Sequence, residues 1–166
     1  MKKQIILKGF HRPLHLIPAC FKNMRRGEVF SLSKTIMFTD SCRYRLPYGD
    51  QMDWNKLFGL CRRIHKDSGR FAWRYNVRTG MIEIAMYSYI CGERNIDMLK
   101  SVPVNKPIKF SILRKYDYLC YYINDYLVGE TWIGKKYNLL WGCGLYFGGN
   151  RRAPQTIIVK QKDLEL

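Results

Sequence analysis

The sequence lacks the features by which most metal sites and membrane proteins are recognised. Six cysteines are spread along 166 residues without a Cys-x-x-Cys pair, and only three histidines accompany them. Structural zinc sites bring their ligands in close pairs, so we expect no bound metal, no cofactor, and reduced, mostly buried thiols. No apolar run approaches the roughly 20 residues of a membrane-spanning helix.

A secretory signal and an interdomain linker are also missing from the pattern. After Met1, charged and polar residues such as Lys8, His11 and Arg12 interrupt the apolar stretch that a signal requires. The sequence therefore predicts a cytoplasmic protein, or a secreted one if a signal lies outside these residues. No Pro-, Ser- or Gly-rich segment divides the chain, which predicts one domain over 1–166, with an irregular segment 1–28 that holds a first strand.

Acidic residues are scarce relative to basic ones. Asp and Glu total 13 against 29 Lys and Arg, which gives a formal net charge of +16. A field of this sign favours anionic partners, such as an acidic polysaccharide, another polyanion or nucleic acid. A high net charge also keeps a protein soluble whether or not it binds a polyanion. The charge alone therefore does not identify the partner.

Short β-like runs dominate what is present. In Arg70–Tyr75, basic residues and alanine alternate with aromatic ones, and Met81–Cys91 continues the two-residue period after a turn at Arg78-Thr79-Gly80. Asn124-Asp125 joins two aromatic runs as a hairpin turn. A short helix is predicted only near Asn95–Ser101. The pattern predicts an all-β fold, an antiparallel sandwich of two sheets.

Two stretches resemble a known fold family. Tyr116–Val128, an aromatic strand with an Asn-Asp turn and an apolar return, resembles the paired strands of laminin-G and other concanavalin-like sandwiches. Leu145–Asn150, followed by Ala153-Pro154 and a final strand, resembles the end of that fold and is similar to uncharacterised bacterial proteins with Phe-Gly-Gly-Asn and Ala-Pro. The resemblance covers about Lys34–Lys162. It implies a concanavalin-like jelly roll and a general link to carbohydrate recognition.

Catalytic patterns are mostly incomplete. Glycoside hydrolysis needs two carboxylates, and the strand that contains Glu83 offers no second one. A polysaccharide lyase needs cations to neutralise a uronate and a Tyr or His for proton transfer. The residue types for a lyase are present in Arg70, Arg74, Tyr87, Tyr89 and His65. Asp50, Asp53 and Asn55 could contribute oxygens to a calcium site.

The glycine-rich stretch near the end of the sequence lacks the helix that a phosphate-binding loop requires. The glycines of 142–149 are followed by Ala153-Pro154 and a β-run rather than by a helix, so a P-loop or dinucleotide site is excluded. We expect these glycines to permit close packing or a tight turn.

A binding surface fits the sequence best. Basic residues concentrate in the middle third and alternate with aromatics, which suits stacking on sugar rings and ion pairing with acidic groups. We predict a ligand site formed by Arg43, Tyr44, Arg70, Trp73, Arg74, Glu83, Tyr87 and Tyr89. We favour a non-catalytic module for an acidic glycan. The alternatives are a nucleic-acid or phage/host interaction protein, and a polysaccharide lyase-like enzyme.

Overall fold

The protein is built almost entirely of antiparallel strands. The computed structural model describes residues 1–13, 21–23, 30–63, 65–133 and 139–164. Its strands are β1 (Lys2–Ile6), β2 (Phe21–Asn23), β3 (Phe30–Phe38), β4 (Asn55–Arg63), β5 (Asp67–Asn76), β6 (Met81–Ile90), β7 (Glu93–Val102), β8 (Ile108–Lys115), β9 (Tyr118–Ile123), β10 (Tyr126–Trp132), β11 (Leu139–Cys143) and β12 (Ile157–Leu164). A 3₁₀ turn (Asp40–Cys42) and one short helix, α1 (Tyr48–Gln51), complete the regular structure. No helix in these residues is long and apolar enough to cross a membrane.

Two six-stranded sheets face each other. The front sheet has the order β2-β11-β4-β5-β6-β7, and the back sheet has the order β1-β12-β3-β8-β9-β10. Every described strand pair is antiparallel. The prediction of an antiparallel two-sheet sandwich with a concanavalin-like jelly-roll fold is therefore confirmed.

The two-residue period of β5 and β6 sets the front sheet's two faces. Phe71 lies opposite Met86, and Trp73 lies opposite Ile84, with all four side chains in the core. The intervening residues of both strands point away from the back sheet, because successive side chains of a strand alternate. The face that carries these intervening residues is called the outer face below.

The hairpin signal at Asn124-Asp125 is also confirmed. Both residues have positive φ, 50° and 67°, and they join β9 to β10. Two successive residues with φ > 0 form the turn whose twist matches that of antiparallel strands, and Asn and Asp tolerate this conformation well.

The predicted helix at Asn95–Ser101 is wrong, because those residues belong to β7. This strand pairs with β6 from Val102 back to Glu93 and forms one edge of the front sheet. Its side chains are largely exposed, so the apolar alternation that identifies a half-buried strand is weak. The segment 1–28 contains β1, as predicted, and also β2, while 14–20 and 24–28 lie outside the described residues.

Aromatic rings fill the space between the sheets. Phe71 of the front sheet meets Phe110 and Tyr121 of the back sheet edge-on, each with ring centroids 5.1 Å apart. Two residues further along β5, Trp73 packs on Phe38 with ring centroids 5.2 Å apart. Each large ring brings considerable apolar area out of water, and this burial holds the sheets together.

Gly148 lies at a position where the structure has no space for a side chain. A Cβ added to this residue would lie 2.1 Å from the carbonyl oxygen of Trp54, while its own N–H donates to Asn55 Oδ1 at 2.8 Å. The interpretation that this glycine permits close packing is confirmed. The backbone of Leu145–Asn150, called the closing segment below, thereby lies directly against the start of β4.

We expect Gly148→Ala to lower the free energy of unfolding by about 1–3 kcal/mol, the usual cost of overpacking a tight site. The matched control is Gly144→Ala, since a Cβ there meets nothing within 4 Å. The control should stay within about 0.5 kcal/mol of wild type. Urea unfolding followed by circular dichroism measures both, and equal stabilities for the two variants would contradict the close approach.

Candidate functional site on the outer face of the front sheet

Five of the eight predicted site residues lie together on the outer face. Register places Arg70 of β5 opposite Tyr87 of β6, and Arg74 opposite Glu83. Lys56 of β4 lies opposite Ala72 on the same face. We call the following residues the outer-face cluster: Trp54, Lys56, Arg70, Arg74, Glu83, Tyr87 and Tyr89.

Arg70 is the least conventional member of the cluster. It is only 6% exposed, yet its Nε has no hydrogen-bond partner among the described residues. Its Cζ lies 5.3 Å from the centroid of the Tyr87 ring. Gly59 packs against its stem, because a Cβ there would lie 2.6 Å from Arg70 Cγ. A buried, unpaired guanidinium donor is costly.

Lys56 adds a second cation beside the same ring. Its Nζ lies 4.3 Å from the Tyr87 centroid and donates to the carbonyl oxygen of Trp54 at 2.6 Å. Burial lowers the pKa of Lys56 to about 8, and the charge of Arg70 acts in the same direction. Lys56 is therefore mostly charged at neutral pH, and its attraction for anions falls as the pH rises through about 8.

Both carboxylate oxygens of Glu83 already accept a hydrogen bond from a neighbouring side chain. Arg74 Nε donates to Glu83 Oε2 at 2.5 Å, and Asn76 Nδ2 donates to Oε1 at 2.6 Å. On the outer face of β4, β5 and β6, Glu83 is the one carboxylate among the described residues. The pair of carboxylates that glycoside hydrolysis requires is thus not found on these strands.

Aromatic side chains of the outer-face cluster pack against two alanines of β5 and β6. Tyr87 forms a small apolar group with the fully buried Ala72 and Ala85, against which Trp54 and Tyr89 pack. Arg74 Cζ lies 4.3 Å from the Trp54 ring. Burial, and then hydrogen bonding to Tyr89, raises the pKa of Tyr87, so its hydroxyl stays protonated and is a poor base at neutral pH.

Tyr146 and His11 reach the edge of this cluster. Tyr146 and Lys56 exchange two backbone hydrogen bonds, of 2.8 and 2.9 Å, and directly paired residues of antiparallel strands share a face. The His11 ring stacks on Tyr146 with centroids 5.2 Å apart. His11 Nδ1 donates to the carbonyl oxygen of Phe147 at 2.8 Å. In neutral His11, Nε2 is therefore left with a lone pair.

The sequence prediction missed these two residues as site members. His11 entered the sequence prediction only as one of the polar residues that interrupt the N-terminal apolar stretch, and Tyr146 only as part of the closing segment. They lie 135 positions apart in sequence, and no local pattern links them. The one available signal was the closing segment itself.

Three predicted site residues lie elsewhere, and we correct them. Trp73 and Tyr44 are 0% and 1% exposed and belong to the core, so a ligand on the surface does not reach them. Tyr44 instead accepts a hydrogen bond from Asn55 Nδ2 at 2.9 Å. Arg43 is exposed but lies apart from the cluster, where its Nε donates to Asp40 at 3.1 Å.

The calcium site considered at Asp50, Asp53 and Asn55 is wrong. Asn55 faces the core and uses its amide for Tyr44 and for the Gly148 N–H, while Asp50 pairs with Arg151 at 3.0 Å. In the part of the chain that the structure describes, no group of three His, Cys, Asp or Glu side chains could hold a metal ion.

No family model matches this chain, and no curated protein is similar to it.

Solved structures share its fold. The alginate lyase AlyC3 superposes with a TM-score of 0.59 at 13% identity, over 98% of this chain and 70% of that one. The alginate lyase from Klebsiella pneumoniae gives 0.62 at 9% identity, over 81% of this chain and 59% of its own length. A functionally unknown protein from Saccharomyces cerevisiae gives 0.54 at 7% identity, over 89% and 74%. At these identities the likeness shows the fold, a jelly-roll sandwich that this chain has in common with alginate lyases.

Proposed function

We propose that this protein binds an acidic polysaccharide across the outer-face cluster and cleaves it as a polyuronate lyase. The observation that carries the proposal is Arg70, a buried guanidinium with an unpaired Nε. Lys56 and two aromatic rings lie around it. The positive charges of Arg70 and Lys56 attract a sugar carboxylate, and the aromatic rings suit the apolar faces of sugars.

The chemistry of such a cleavage is β-elimination. A base removes the proton from the carbon next to the carboxylate, the C–O bond to the adjacent sugar breaks, and a C=C double bond forms between the two ring carbons. The departing oxygen takes up a proton. A cation on the carboxylate makes this step easier, because it stabilises the negative charge that develops there.

Arg70 is suited to neutralise the carboxylate, and His11 and Tyr146 are suited to transfer the protons. His11 has an Nε2 lone pair in its neutral form, and its ring stacks on Tyr146. Tyr146 lies next to Lys56 on the outer face. Tyr87 and Tyr89 serve better as packing and stacking residues, since burial keeps the Tyr87 hydroxyl protonated.

The fold neighbours support this function over the non-catalytic module that the sequence alone favoured. Two of the neighbours compared are alginate lyases, and AlyC3 has also been solved with dimannuronate, an acidic disaccharide. Hydrolysis is disfavoured because Glu83 is paired with Arg74 and Asn76. The net charge of +16 also suits nucleic acid, so DNA is one arm of the test.

The experiment incubates the protein with polymannuronate, polyguluronate, polyglucuronate and a neutral glucan. Lyase activity releases oligosaccharides whose new double bond, conjugated with the carboxylate, absorbs ultraviolet light. New reducing ends without that absorbance would indicate hydrolysis. Retention on a polyuronate without any cleavage would favour the non-catalytic binding module. Binding to mixed-sequence DNA alone, with a steep dependence on salt concentration, would favour the nucleic-acid alternative.

We expect Tyr146→Phe to lower turnover by about 100-fold or more, because it removes the hydroxyl but keeps the ring that stacks on His11. The matched control is Tyr126→Phe, at a 77% exposed tyrosine of β10 in the back sheet. The control should cleave at the wild-type rate. Equal activity in both variants would remove Tyr146 from the reaction.

A further inference from the structure

Two cysteines meet across the front sheet, one strand away from Arg70. Cys143 of β11 pairs in register with Gly59 of β4, and Cys61 of β4 pairs with Trp141. The two cysteines are therefore diagonal neighbours of the same strand pair. The two Sγ atoms lie 2.7 Å apart, within about 0.7 Å of the length of a disulfide bond.

The surroundings of the two thiols shift their pKa values in opposite directions. The Cys143 thiol donates to Cys61, and this hydrogen bond holds the pKa of Cys61 below its usual value; the charge of Arg70 adds to the effect. The same hydrogen bond raises the pKa of Cys143. Cys61 is thus the thiol that ionises first, and a thiolate is the form that attacks a disulfide.

We propose that Cys61 and Cys143 are a redox-active pair that closes to a reversible disulfide between β4 and β11. The Cys61 thiolate attacks one sulfur of a small oxidised disulfide, such as glutathione disulfide, and expels the other half as a thiolate. Cys143 then loses its proton and attacks Cys61 in this mixed disulfide, which releases the second half. The two electrons and two protons end on two molecules of reduced glutathione.

The strand geometry allows this closure with a small movement. Diagonal neighbours of an antiparallel pair have Cα atoms about 7–8 Å apart, about 1 Å more than a disulfide usually spans, so closure needs a small backbone movement. Among the described residues, β11 has three pairs with β4 and three with β2, so little of that pairing opposes an approach of about 1 Å. The other described cysteines have different surroundings: Cys42 and Cys120 are buried away from this pair, and Cys91 is exposed at a turn.

The bond would act on the candidate site. Three residues after Cys143, Tyr146 pairs with Lys56, so the disulfide would tie that segment more firmly to β4. It would also remove the Cys61 thiol, whose ionised form the charge of Arg70 favours. An effect on polysaccharide binding rests on the proposed function, whereas formation of the bond does not.

The test equilibrates the full chain in glutathione buffers from fully reduced to fully oxidised, then blocks the remaining thiols and maps the peptides by mass spectrometry. We expect the oxidised protein to lose two blockable thiols and to yield one cross-linked peptide that contains Cys61 and Cys143. Dithiothreitol should restore both thiols. The wild-type bond should also raise the midpoint of thermal unfolding by several degrees relative to the reduced protein.

Matched variants separate this pair from the other cysteines. Cys61→Ser and Cys143→Ser should each abolish the cross-link, while Cys120→Ser should retain it. Full retention of both thiols in oxidising buffer, or a cross-link of Cys61 to a different cysteine, would overturn the proposal. No polysaccharide takes part in these measurements, so a failure of the lyase proposal does not change their outcome.

Discussion

Replacement of Arg70 by Met is expected to weaken ligand binding by about 30-fold or more while it leaves the protein as stable as before, or more stable. The side chain is 6% exposed, and its Nε is unpaired in the described structure. Met fills a similar volume without a charge, and apolar replacement of a buried ionic group is often neutral or stabilising. The bound state, in contrast, loses a charge-assisted contact worth about 2 kcal/mol or more, which corresponds to about 30-fold or more in affinity.

Arg43→Met is the matched control for this prediction. Both variants remove one positive charge, but Arg43 is exposed and lies apart from the outer-face cluster. Calorimetric titration with an oligomannuronate should give a large loss for Arg70→Met and a change below about threefold for Arg43→Met, since exposed charges contribute little. Equal losses would mean that only the overall field attracts the ligand, and a strongly destabilised Arg70→Met would make the residue structural.

The opposed signs of the two effects are the informative part. A residue that serves only packing loses stability and function together, whereas a site residue held in an unsatisfied state loses function and relieves the fold. Thermal unfolding and titration of the same protein sample therefore separate the two roles of Arg70.

How far the sequence could predict this structure differs from strand to strand. The alternation in Arg70–Tyr75 fixed which residues share a face, and β5 and β6 have that arrangement. β7 escaped prediction because its side chains are exposed on both faces, and its strand conformation is set by pairing with β6 rather than by its own pattern. The described part of β2 is three residues long and pairs with β11, so it is too short for a periodic pattern to mark it.

The candidate site divides in the same way. Arg70, Arg74, Glu83, Tyr87 and Tyr89 are separated by even intervals within their strands, and period alone brings each set to one face. Register between β5 and β6, which follows from the short turn, then brings the two sets together. His11 and Tyr146 meet only because the segment after β1, Gly9–His11, lies against the residues near Phe147 and Ala153 once the sandwich has formed. No local sequence pattern predicts a contact between residues so far apart in the sequence.

Trp73 is the predicted site residue that the alternation itself excluded. It shares the face of Phe71 and Tyr75, opposite to the arginines, and the structure buries it completely against Phe38 and Tyr44. A tryptophan next to arginines in sequence was interpreted as a stacking residue. In a strand, however, immediate neighbours point to opposite faces, so the indole and the two guanidinium groups flank different sides of the sheet.

The two tryptophans of this region should therefore behave in opposite ways when truncated. Trp73→Ala removes a fully buried indole and is expected to cost about 3–5 kcal/mol of unfolding free energy. Trp54→Ala removes a half-buried ring that lies over Ala72 and Ala85 beside Arg74. We expect it to cost less stability but to weaken oligomannuronate binding about tenfold, because an aromatic platform contributes about 1–3 kcal/mol to stacking.

Trp73→Phe keeps the experiment decisive if Trp73→Ala does not fold. Phe retains most of the buried area and removes the indole Nε1–H, which has no hydrogen-bond partner among the described residues. We therefore expect this variant to fold with a modest loss of stability and to bind oligomannuronate as the wild type does. A well-folded Trp73→Phe that no longer binds would restore Trp73 to the site. Normal binding by Trp54→Ala would instead remove the aromatic platform from it.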